Sequence, residues 1–118
     1  MAPTNPTDHD LNLMLARVAG VQVRPADYAP DRTWVIASNG FGRWDPLHDA
    51  NQMEMAEAWL RENEWEYITG WSRQGSNHWA ELRNTKKAFW SCDPDKKRAF
   101  ALAIWQMEQS NNNNNKED

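Results

Sequence analysis

The sequence predicts an α+β fold: a single three-layer α/β/α-type domain, with a largely antiparallel sheet and amphipathic helices packed on it. Two observations carry this reading. Three segments place apolar residues at helical spacing, and between the last two lie three strand-length segments separated only by short turn signals, which favours antiparallel pairing. A helix with one apolar stripe needs an apolar partner, and a sheet has two faces to offer.

Taken in order, residues 1–6 form a polar lead-in with two prolines. Thr7 or Asp8 caps the first helix, in which Leu11, Met14, Leu15 and Val18 follow the i, i+3, i+4, i+7 pattern, and Gly20 is a natural stop. Val21–Arg24 reads as a short extended piece. A Pro25–Asp31 loop follows, then a strand over Thr33–Ser38 with Trp34 and Ile36 on one face. Asn39-Gly40, with Gly42 close behind, makes Ser38–Arg43 a flexible tip bracketed by Trp34 and Trp44.

The segment Trp44-Asp45-Pro46-Leu47-His48-Asp49-Ala50-Asn51-Gln52 turns the chain and starts a helix reaching about Asn63. Asp49 can accept from the first-turn amides while Gln52 reaches back in a capping box, and Asp45-Pro46 offers a second possible start. Met53, Ala56 and Leu60 form the inward stripe, adjoined by Met55 and Trp59. Trp65, Tyr67, Thr69 and Trp71 then alternate with Glu66 and Ile68. Gln74–Asn77 closes a hairpin, Trp79–Arg83 and Ala88–Cys92 are the next strands, and Asn84-Thr85 turns between them. Asp93-Pro94 opens a closing helix with Phe100, Ala103, Ile104 and Met107 inward. The domain spans 7–109, and the asparagine-rich residues 110–118 are assigned a disordered tail.

At 118 residues the chain suits one domain without staples. Its one cysteine, Cys92, cannot form an internal disulfide, which fits a reducing cytosol; no apolar run is long enough to span a bilayer, and with neither a charged n-region nor an h-region among the first residues, an unexported protein is expected. A formal charge of -4 argues against broad nucleic-acid binding. The charge is unevenly spread: Asp45–Glu66 holds seven acids and one base, Arg83–Arg98 six bases and two acids. Eight tryptophans are too many for one small core, so some of Trp65, Trp71 and Trp90 are expected to be partly exposed, while Trp59, Trp79 and Trp105 fit core stripes or sheet faces.

The first helix ending near a glycine, the tryptophan-bearing strand, the Trp44-Asp45-Pro46-Leu47-His48-Asp49 turn, the hairpins and the alanine-rich last helix together resemble small phage or prophage proteins with a phage ABA sandwich domain. The resemblance covers roughly Leu11 to Gln109 and implies a phage accessory gene expressed in the host bacterial cytoplasm. That family lends no activity to transfer. From Asn51 onward, the order helix, three strands, helix is similar to a double-stranded-RNA-binding domain, with Asp95-Lys96-Lys97-Arg98-Ala99 like its phosphate-gripping segment. The acidic first helix of that block and the missing glycine-rich loop depart from it.

Catalytic chemistry finds little to stand on. His9, His48 and His78 sit in separate segments. Asp45, His48 and Asp49 lack the spacing of a defined metal site, and Cys92 closes a strand. No enzyme, cofactor or metal is expected. The expected function is a non-enzymatic protein-binding module. It would use Glu54, Glu57, Glu62 and Glu64 with Trp65 and Trp71 against a basic surface of a host or phage macromolecule, and so inhibit a host defence factor in the manner of an anti-CRISPR. The alternative is nucleic-acid binding through Lys86, Lys87, Lys96, Lys97 and Arg98.

Overall fold

A computed structural model describes residues 6–26, 29–37, 40–73 and 75–117. The order is α1 (Asp8–Ala19), β1 (Val23–Ala26), β2 (Ala29–Ala37), β3 (Gly40–Trp44), α2 (Ala50–Glu62), β4 (Glu66–Ser72), β5 (Asn77–Arg83), β6 (Ala88–Asp93) and α3 (Lys96–Glu117). The fold is α+β, with antiparallel strands and helices packed on them. The strands divide into two three-stranded sheets, β1-β2-β3 and β4-β5-β6. The described chain forms two compact units, which divide between residues 62 and 63.

In the first unit, Thr7 caps α1 through a reciprocal pair: its Oγ1 accepts from the Asp10 amide at 3.1 Å and its own amide donates to Asp10 Oδ2 at 3.0 Å. Gly20 ends the helix in the left-handed region at φ 72°, where its N–H and that of Val21 bond back to the last turn. The α1 stripe of Leu11, Met14, Leu15 and Val18 is buried, as are Met53, Ala56 and Leu60 of α2, and the two helices pack together. Each such leucine stabilises by about 2 kcal/mol on burial.

The first sheet departs from the expected loop and tip. Pro25 lies within β1, on an edge strand where a missing N–H is tolerated, and the register shifts beside it. Gly40 to Arg43 pair with β2 from Ala37 to Trp34, so the expected flexible segment is mostly a strand. Two glycines in five residues argued for a turn, but ladder hydrogen bonds with β2 hold this stretch extended. The turn itself, residues 38–39, lies outside the described residues, as do residues 1–5, 27–28 and Gln74, and the side chains of Trp34 and Ile36.

The turn into α2 is fastened by side chains. The Trp44 indole, 2% exposed, donates from Nε1 to the Asn12 carbonyl of α1 at 2.7 Å. The His48 amide donates to the Asp45 carbonyl at 3.0 Å, closing a turn in which Pro46 and Leu47 are buried. Asp49 caps α2 as expected, accepting from Asn51 and Gln52 amides at 2.9 and 3.2 Å. Gln52 does not complete the capping box on Asp49. Its amide bridges further back, accepting from the Asp45 N–H at 2.6 Å and donating to the Arg43 carbonyl at 2.9 Å, because the intervening turn brings those groups within reach.

In the second unit, β5 is central and antiparallel to both neighbours, and α3 lies over β5 and β6. Registers align Tyr67, Leu82 and Phe89 in one row and Thr69, Ala80 and Ser91 in the next. Tyr67 meets Phe100 of α3 at 5.3 Å between ring centroids, so these rows face the helix, and Leu82 and Ala80 are fully buried there. Ala99, Phe100, Ala103, Ile104 and Met107 supply the helix side. α3 keeps helical backbone through the asparagine tract to Glu117, past Met107, its last buried apolar residue.

Trp44→Phe removes the hydrogen bond to α1 and leaves a smaller ring in a buried site. About 1 kcal/mol is expected for the bond and a similar amount for the volume, so urea unfolding should show a loss of about 2 kcal/mol. An unchanged midpoint would contradict the fastening role of this indole.

Candidate interaction surface

Side chains alternate across a strand, so the rows between those facing α3 point to the other side of the sheet. They are Glu66, Arg83 and Ala88; Ile68, Glu81 and Trp90; and Gly70, Trp79 and Cys92. This outer face carries Ile68 at 40% and Trp90 at 56% exposure. Gly70 is required beneath Trp79, since a Cβ there would stand 2.3 Å from the indole Cζ2. The Nε1–Cζ2 edge of the indole therefore reaches onto the Gly70 backbone, a close approach only glycine permits. Arg83 Nε donates to Glu66 Oε2 of the facing strand at 3.1 Å. Glu81 is half-buried between Ile68 and Trp90, and its carboxylate has no hydrogen-bond or ion-pair partner among the described residues.

The expected protein-binding residues are distributed over both units. Glu54 accepts from Arg61 Nη2 at 2.6 Å on the exposed side of α2. This bond, with a further contribution from a hydrogen bond to Glu57, holds the Glu54 carboxyl below its ordinary pKa of 4.5. Glu62 and Glu64 are exposed, and Glu64 takes a left-handed conformation at φ 65°. Trp65 is half-buried, its ring 5.9 Å from Phe89 on the α3 side of the sheet. Trp71, 56% exposed, shares that side but sits on edge strand β4, while α3 lies over β5 and β6.

The alternative basic residues separate into two places. Lys86 and Lys87 are exposed in the β5–β6 turn, where Asn84 Oδ1 accepts from both amides at 2.8 and 2.7 Å. Lys96, Lys97 and Arg98 open α3, beyond the far end of β6, a strand about 17 Å long. Arg98 is committed to Asp93 at 3.3 Å. Asp95, not Asp93, caps the helix, accepting from the Arg98 amide at 3.0 Å. Carboxylates of the chain itself thus offset the cations at this helix start. The helix α2, which the double-stranded-RNA-binding likeness pairs with β4–β6, packs with α1 in the first unit.

The titratable turn residues have local partners. Asp45 accepts from Asn12 Nδ2 at 3.1 Å, lies 3.0 Å from His48 Nδ1 and pairs with Arg43 at 3.5 Å. The carboxylate holds the Asn12 amide by its nitrogen, and the buried Asn12 Oδ1 is left without a partner among the described residues. Asp49 is occupied by the helix cap. Among the described residues, no group of three or more histidine, cysteine, aspartate or glutamate side chains is placed to hold a metal, and no helix is long and apolar enough to cross a membrane.

Sequence reasoning missed Ile68, Trp79 and Glu81. The period-two pattern of β4 contained the signal for Ile68, since it sits opposite in phase to Tyr67, but Trp79 and Glu81 needed the register. No family model matches the chain, and neither a curated protein nor a solved structure matches it.

Two measurements check this geometry. Gly70→Ala should displace the Trp79 ring and cost about 1 kcal/mol, at the low end for overpacking because the face is open; an unmoved Trp79 indole resonance would contradict this close packing. A carboxyl titration followed by NMR should place Glu54 below the ordinary glutamate value of 4.5, and Arg61→Ala should bring it back up. Because the folded value is depressed, the pair's contribution is present above the ordinary glutamate range and lost as pH falls through the lowered value.

Proposed function

We propose that this chain is a non-enzymatic protein-binding module that acts by occupying a surface of another macromolecule. The observation that supports this best is the outer face of the β4–β6 sheet, where Ile68 and Trp90 are exposed beside a Trp79 packed on Gly70. Large aromatic side chains held on a rigid sheet lose little freedom on binding and are the usual energetic centre of a protein interface. The negative net charge favours a basic partner over a polyanion. The likeness of the Trp44–Asp49 turn to phage proteins supports the further reading of a phage accessory protein in a host bacterial cytoplasm. There the partner would be a host defence factor, blocked in the manner of an anti-CRISPR.

The test compares wild type with an Ile68→Ser/Trp90→Ser variant as bait in bacterial lysate, with retained proteins identified by mass spectrometry. Both substitutions are at exposed positions, and circular dichroism checks that the fold persists. A protein retained by wild type and lost at least tenfold by the variant is the expected result. Identical retention by both would overturn the assignment of this face. Retention of nucleic acid alone, weakening steeply with salt and with Lys86→Ala/Lys87→Ala, would replace it with the nucleic-acid reading.

A further inference from the structure

The Ile68–Glu81–Trp90 row has an unusual chemistry for an outward sheet face. Its central position is a carboxylate and its flanks are apolar. Directly opposed residues on antiparallel strands bring their Cβ atoms to about 5 Å, so Glu81 stands between an indole and an aliphatic chain. Trp79 lies two residues away on the same strand and face, about 7 Å along it. The nearest cation on this face, Arg83, is held by Glu66 across the sheet. Glu81 is therefore a half-shielded anion with no partner among the described residues, bordered by two indole rings whose π-faces are electron-rich.

We propose that this row is a receptor for a single cationic side chain, an arginine or lysine presented by a basic peptide segment of the partner. The proposal rests on the protein-binding reading above and names the chemistry of its contact. Glu81 supplies the counter-charge, and Trp90 and Trp79 supply π-faces over which a guanidinium or ammonium is attracted. Ile68 covers the aliphatic stem of the incoming residue. Charge complementarity selects this occupant over the others. A nucleic-acid strand stacking on the same indoles would set its phosphates near Glu66 and Glu81, and a second copy would bring Glu81 against a like-charged face. Arginine suits the site better than lysine, because a planar guanidinium can stack on Trp90 while donating to the carboxylate in its own plane.

The experiment uses the full chain and short synthetic peptides differing at one position: arginine, lysine or citrulline, the last matching arginine in shape without its charge. Indole N–H resonances of Trp79 and Trp90, assigned through single Trp→Phe variants, report binding at the site. The arginine peptide should shift both resonances, the lysine peptide should bind more weakly, and the citrulline peptide should bind at least tenfold more weakly than arginine. Glu81→Gln should weaken the arginine peptide at least fivefold while leaving the unliganded spectrum in place. Equal affinity for arginine and citrulline, or no effect of Glu81→Gln, would overturn the cation site. So would shifts of these indoles by a single-stranded oligonucleotide and not by the peptides, or by dilution of the protein alone, which would show self-association.

Failure here is distinguishable from failure of the broader reading. A lysate partner lost by Ile68→Ser/Trp90→Ser but kept by Glu81→Gln leaves a protein-binding face without a cation receptor. A partner kept by both removes the face altogether.

Discussion

A three-stranded sheet has two faces, and α3 covers one of them. The rest of the second unit depends on that one-sided cover. It explains why Leu82 and Ala80 are fully buried while Ile68 and Trp90, their neighbours in sequence register, are not. It also explains the length of the α3 stripe from Ala99 to Met107, which must seal a whole sheet face alone. Alternation along a strand leaves no compromise: each residue that serves the core fixes its neighbours to the other side.

The first unit is held by a different means. Its helices bury ordinary aliphatic stripes, but the passage from β3 into α2 is secured by polar contacts that converge on a few residues. Trp44 reaches α1, Asp45 collects Asn12, His48 and Arg43, and Gln52 ties the backbone on either side of the turn. Such a network makes Asp45 and His48 look chemical in a list of residues. In space each is already engaged in holding the chain, and Asp49 is engaged in capping the helix.

The elements with strong periodicity were legible in the sequence: all three helical stripes, the caps at Thr7 and Asp49, the stop at Gly20 and the three strands from Glu66 onward. What was not legible has specific causes. Gly40 and Gly42 carried turn signals that ladder pairing overrode, and Pro25 signalled a loop where an edge strand tolerates it. Gln52 found partners in the preceding turn that spacing on a helix cannot reveal. The candidate surface was half legible. Some of Trp65, Trp71 and Trp90 were expected to be partly exposed, and Trp71 and Trp90 are exposed; the contact of Trp65, just before β4, with Phe89 of β6 depends on how two strands not adjacent in the sheet are placed. Glu81 could not be singled out from the sequence, since one glutamate among many becomes distinctive only through its neighbours on other strands.

The chain has a single cysteine, and it lies in the same outward row as Gly70 and Trp79, exposed to solvent. One thiol at one address makes this face chemically writable. A reagent joined to Cys92 is necessarily placed beside Trp79 and nowhere else, so a bulky adduct masks the face and a small fluorophore reads it, with no change to the amino-acid sequence.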